Sequence, residues 1–250
     1  MEVNKLKKTI IVLMIIFVQI FSTHVCQAGL FGGLKKLFSS ARQEMIDNGT
    51  IDENTIITAL KEAISVGTDN AVKSISKLDG YLKNQAIKIV IPENLRMVAD
   101  GLRKIGYNEP VDDFILSMNR AAEQAAPEAK VIFIDAIKEM TFDDAKKILN
   151  GNETAVTDYF KIKAGDKLYD AFSPIISSSV NEVGATRYYK TMTDKFALLP
   201  FMKTKNVNLD NYVTNKALEG LFYMVGEEEK KIRTDPKARV TELLKKVFSE

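Results

Sequence analysis

The chain has 250 residues, a formal net charge of +2, one histidine, one cysteine and no tryptophan. His24 and Cys26 both precede Ala28, so the chain beyond that point can build no Ser-His-Asp triad, thiol nucleophile, disulfide or His/Cys zinc site. Carboxylate chemistry, lysine chemistry and oxygen-ligated Ca²⁺ or Mg²⁺ are left open.

Residues 1–28 have the layout of a secretory signal. Lys5, Lys7 and Lys8 form a basic end, residues 10–18 are apolar without a break, and Cys26 and Ala28 are small residues at a cleavage position. The apolar run is shorter than the ~20 residues of a membrane-spanning helix. The expectation is export to the periplasm or outer envelope with cleavage after Ala28. Acylation of Cys26 is a weaker alternative, because Val25 stands where lipoprotein signals usually carry a smaller residue. Removing residues 1–28 takes away three lysines and one glutamate and leaves 32 basic and 32 acidic residues. A neutral chain of this kind is not expected to bind nucleic acid.

Over residues 29–49, Leu30, Phe31, Leu34, Leu37, Phe38, Ala41 and Met45 fall on one helical face. This stripe fits a helix docked on the rest of the protein. It also fits one lying on a membrane surface or an envelope protein through residues 29–45. Residues 50–250 read as an all-α multi-helix bundle of about eight to ten helices. Two lobes, 50–150 and 152–250, are conceivable about the Asn150-Gly151-Asn152 stop.

In chain order, Ile56, Leu60, Ala63, Ile64, Gly67, Ala71 and Ile75 hold a helical period to about Leu78, after Asp52 as cap. Ile87, Ile89 and Ile91 alternate with Lys88 and Val90, which predicts an extended piece ending at Pro92. Val207 and Leu209 alternate similarly, and residues 87–91 and 206–209 could pair as a two-stranded ribbon. Further helices are expected over 92–105, from about Pro110, from Pro127, and from Thr141, whose partner Asp144 makes a capping box. The second half predicts helices over 153–163, 165–183 with Pro174 as a kink or break, and 185–198. A long helix follows from Asp210 to about Arg233, then a last one with Val240, Leu243, Leu244 and Val247 inward.

Four stretches carry a family resemblance: Gly67-Thr68-Asp69-Asn70-Ala71-Val72 with residues 80–84; Ser117-Met118-Asn119-Arg120-Ala121-Ala122-Glu123; Val183-Gly184-Ala185-Thr186-Arg187-Tyr188-Tyr189; and residues 217–233. With them the chain resembles a bacterial domain of unknown function, family 4197. The resemblance implies an exported protein and brings no activity, cofactor or catalytic residue with it.

No EF-hand loop, Walker loop or dinucleotide fingerprint is present, so no cofactor, metal site or catalytic residue is assigned. The candidate ligand-binding residues are Asn119, Arg120 and Glu123 on one helix, Arg187 beside Tyr188 and Tyr189 as an anion site, and Tyr223. The bland alternative is a buried Asn119 holding a turn, an Arg120–Glu123 surface pair, and one tyrosine packed inward. Glu227, Glu228 and Glu229 point about 100° apart on a helix and do not converge on a metal. The functional expectation is a non-catalytic helical binding or structural protein of the envelope, contacting protein, lipid or an apolar ligand. The alternative is a carboxylate-dependent envelope hydrolase that uses the Arg/Tyr site.

Overall fold

The computed structural model describes residues 53–182, 185–197 and 208–235. The signal segment, the 29–49 stripe, positions 206–207 and the helix expected beyond Pro236 lie outside these residues. The described chain is mostly helical and contains no strand.

Helix α1 (Glu53–Ser76) buries Leu60, Ile64, Ala71, Val72 and Ile75 along one face, as the period predicts. It stops in a tight turn. Asp79 adopts φ 67°, and a Cβ on Gly80 would lie 2.6 Å from the Ile75 carbonyl oxygen, so only glycine fits there. Helix α2 (Glu93–Lys104) opens after Pro92, and Gly106 follows its end at φ 89°. Helix α3 (Asn108–Ala125) is buried at Val111, Phe114, Met118, Ala121, Ala122 and Ala125, and a 3₁₀ turn over Ala126–Glu128 leads into α4 (Ala129–Glu139). Helix α5 (Phe142–Leu149) starts at the expected capping box: the Thr141 hydroxyl accepts from the Asp144 N–H, and the Asp144 carboxylate accepts from the Thr141 N–H.

Helix α6 (Ala155–Glu182) corrects the expected pair of helices over 153–163 and 165–183. Gly165 does not interrupt it, because Val156, Phe160, Ala164, Leu168, Phe172, Ile176 and Val180 are all buried across that point. A strict four-residue spacing drifts by about 40° per step. The apolar stripe therefore winds round the helix, and α6 packs on α3, α4, α5, α7 (Ala185–Ala197) and α8 (Leu209–Thr234) in turn. Pro174 stays inside α6; the carbonyl it leaves without a helical partner belongs to Asp170, an exposed residue. Helix α8 is capped by Asn208, whose side chain accepts from the Asn211 N–H, rather than by Asp210. One cluster of buried residues joins positions before and after Asn150–Asn152.

The extended piece at 87–91 does alternate, with Ile87, Ile89 and Ile91 buried and Val90 exposed. It is not a strand of a ribbon among the described residues, and Leu209 already belongs to α8. Its N–H groups at Ile87 and Lys88 donate to the Asn84 carbonyl, and side chains serve the groups beyond. Asn119 accepts from the Ile89 N–H at 2.9 Å and donates to the Ile89 carbonyl at 2.8 Å, and the Tyr212 hydroxyl donates to the Val90 carbonyl at 3.0 Å. A side-chain amide thus does what a second strand would have done.

Candidate functional site

The α3 candidates are brought together, and what they hold is the chain's own loop. Glu123 is buried; its Oε1 accepts from the Tyr81 N–H at 3.1 Å and the Leu82 N–H at 3.3 Å. Its other oxygen accepts from Arg120, which also donates to Asp79 at 2.7 Å. The pair is largely covered rather than a surface pair: Arg120 is 24% and Glu123 5% exposed. Hydrogen bonds from Lys83 and then Arg120 hold the Asp79 carboxyl below its ordinary value. Tyr81 lies under this network with its hydroxyl donating to the Ala217 carbonyl of α8 at 2.7 Å, and burial pushes its phenol far above the usual range. Its ring packs so close to Gly220 that a Cβ there would stand 2.6 Å from Cε1. The bonds described for Asn119, Arg120 and Glu123 all run to the chain itself, to the 79–91 strap or within α3.

Arg187, Tyr188 and Tyr189 sit on α7. Tyr189 packs on Phe114 of α3 with ring centroids 6.1 Å apart, and exposed Arg187 lies over the Tyr188 ring at 5.3 Å. Both tyrosines are half-buried and pack against the core. Tyr223, on α8, is exposed and lies elsewhere again. The seven candidates therefore work in three separate places.

Tyr223 belongs to a larger feature that the sequence did not delineate. Helices α6 and α8 run antiparallel: Ser177 donates to Asp210 at 2.7 Å, Lys161 lies over the Phe222 ring at 6.0 Å, and Thr157 donates to Glu229 at 3.1 Å. Along their outer side runs an open cleft of about 810 Å³. Tyr169, Leu218, Phe222 and Tyr223 give it an apolar and aromatic lining, and Glu153, Asp166, Glu219, Glu227, Lys161 and Lys230 bring charge. Its volume is in the range of small-molecule sites. Gly165 faces it, and a Cβ added there meets nothing within 4 Å.

The end of this helix pair is fastened by a second buried carboxylate. Glu229 accepts from the Val156 N–H at 3.0 Å and the Thr157 N–H at 3.1 Å, at the start of α6. Arg233 donates to it at 3.0 Å and reaches the Ile148 carbonyl, also at 3.0 Å. The three successive glutamates do point apart: Glu227 lines the cleft, Glu228 bonds Asn70 and Lys231, and Glu229 turns inward. Among the described residues no group of carboxylates could hold a metal ion, and no helix is long and apolar enough to cross a membrane.

Among the described residues, fold and cleft together define a helical domain with a shared buried core and a long groove between two antiparallel helices. The chain belongs to the family described as protein of unknown function DUF4197, whose model matches residues 50–249. Neither curated proteins nor solved structures provide a match.

Proposed function

We propose that this DUF4197 chain is an exported, non-catalytic binding protein of the bacterial envelope, and that it binds in the α6/α8 cleft. The observation that carries the reading is the cleft itself: an open volume of about 810 Å³ with aromatic rings and charged side chains on one groove. Binding sites combine an apolar lining with a few placed polar groups. The two buried carboxylates, Glu123 and Glu229, are both engaged by backbone N–H groups and an arginine. That leaves neither available as the acid or base of a hydrolase. Export is supported by the basic, apolar and small-residue succession of residues 1–28. The stripe of Leu30, Phe31, Leu34, Leu37 and Phe38 supplies, on this reading, a face toward the membrane or an envelope partner.

The test is native mass spectrometry of protein recovered from its own envelope fraction, alongside a Gly165→Phe variant that fills the cleft. The expected result is an N-terminus at Gly29 and a retained mass that the variant loses. Protein that stays in the cytoplasm would sink the export reading. Wild type without any adduct, or an adduct held equally by Gly165→Phe, would sink the cleft.

A further inference from the structure

The charges around the cleft are unequal in how they are used. Glu219 is paired with Lys216, and Lys161 sits 3.9 Å from Asp158 while covering the Phe222 ring. Glu153, Asp166 and Glu227 have no ion pair or side-chain hydrogen bond among the described residues, and Lys230 is the cleft cation in the same state. Three open carboxylates against one open ammonium leave the groove negative, next to the rings of Tyr169 and Tyr223. Carboxylates attract an ammonium or guanidinium group by charge, and an aromatic face adds to that attraction. An anionic ligand would meet repulsion at the same three positions.

The shape narrows the ligand further. The α8 side of the cleft runs from Asn215 to Lys230, about 22 Å at the rise of an α-helix. A compact cation would occupy a fraction of that length, whereas about six residues of extended peptide, at ~3.4 Å each, span it.

We infer that the α6/α8 cleft binds an extended, lysine- or arginine-bearing peptide segment of a partner protein, its cationic side chains on Glu153, Asp166 and Glu227 and its apolar parts on the aromatic lining. This rests on the reading of the cleft as the binding site and specifies what enters it. The segment lies along the groove with α6 on one side and α8 on the other, and its long flexible lysine or arginine side chains reach the open carboxylates on both sides.

The probe is a fluorescein-labelled six-residue peptide alternating lysine and alanine, titrated against the whole protein by fluorescence anisotropy. Binding is expected, weakening as salt is raised from low ionic strength. The double variant Asp166→Asn/Glu227→Gln should weaken it by about tenfold or more, and Tyr223→Ala by about threefold. Gly165→Phe should abolish it. Equal binding of a peptide alternating glutamate and alanine would overturn the inference, and so would binding unaffected by the double variant. Spermidine competing as well as the peptide, mole for mole, would overturn the extended-peptide occupant in favour of a free polyamine. A lysine peptide that fails to bind, while the envelope-derived adduct is still lost in Gly165→Phe, overturns this inference and leaves the cleft standing as a site. Failure of both results removes the cleft as well.

Discussion

The strap under α3 and the cleft between α6 and α8 use similar residues to opposite ends. In the strap, Glu123 closes on two backbone N–H groups and Arg120, and Asn119 closes on both polar groups of Ile89. Glu229 repeats the device at the edge of the cleft, closing on the first turn of α6 and on Arg233. Two residues away, Glu227 has no such partner among the described residues and faces the groove. A carboxylate is part of the fold where backbone N–H groups converge on it, and part of a surface where they do not. Residue type and helix position alone do not separate the two cases; the register of the facing helix does.

Substitutions at these positions set the comparison to the test, and urea denaturation can rank them. Glu229→Ala is expected to cost the most, about 3–5 kcal/mol, because it strands two buried N–H groups and a largely covered Arg233. A loss under about 1 kcal/mol would mean that water replaces the carboxylate and that Glu229 belongs with the open group. Asn119→Ala should cost about 2–3 kcal/mol through the orphaned N–H and carbonyl of Ile89. Asn119→Asp should fare little better, since a carboxylate cannot donate to that carbonyl.

Gly220→Ala comes next, at about 1–3 kcal/mol, as its Cβ forces the Tyr81 ring off its seat. A Tyr81→Phe background tests whether the ring or the hydroxyl carries the coupling, and a double-mutant cycle reads it directly.

A smaller effect is expected from acid. The carboxyl of Asp79 is held below its ordinary value in the folded chain by Lys83 and Arg120. Its stabilising contribution is present above the unfolded carboxylate pKa, about 3.9, and is lost as pH falls below that through the folded value. Asp79→Asn should therefore flatten the acid limb of a stability–pH curve while changing little at pH 7 to 8 relative to its own plateau. An unchanged acid limb would place the acid sensitivity elsewhere. Glu227→Gln should have the smallest effect on stability, within about 0.5 kcal/mol, and a large loss there would erase the contrast between strap and cleft.

The helices were legible because their burial is periodic and their ends carry chemical stops. Pro92, Gly106 and the Thr141/Asp144 box mark boundaries where the structure has them. The break expected near Gly165 was misplaced for an instructive reason: glycine lowers helix propensity by about 1 kcal/mol, which a buried row from Val156 to Val180 easily outweighs. The alternation of Ile87, Ile89 and Ile91 was legible too, but alternation reports which way side chains point and says nothing of what satisfies the backbone between them. That Asn119 reaches across thirty residues to do so depends on how α3 docks. Among the binding candidates only Tyr223 lines the cleft. The groove is made by pairing Lys161 with Phe222 and Thr157 with Gly226 across two helices, and no spacing within either helix encodes that register.

The hydrogen bond from Tyr81 to Ala217 joins residues 136 positions apart. Closing so long a loop is entropically costly, and contacts of this kind form late in folding. During synthesis, α1 to α5 would emerge with the 79–91 strap still lacking its seat on α8. Until the last described helix arrived, Tyr81 and Ile87 would lack the face of α8 around Ala217 and Gly220 that covers them in the folded chain.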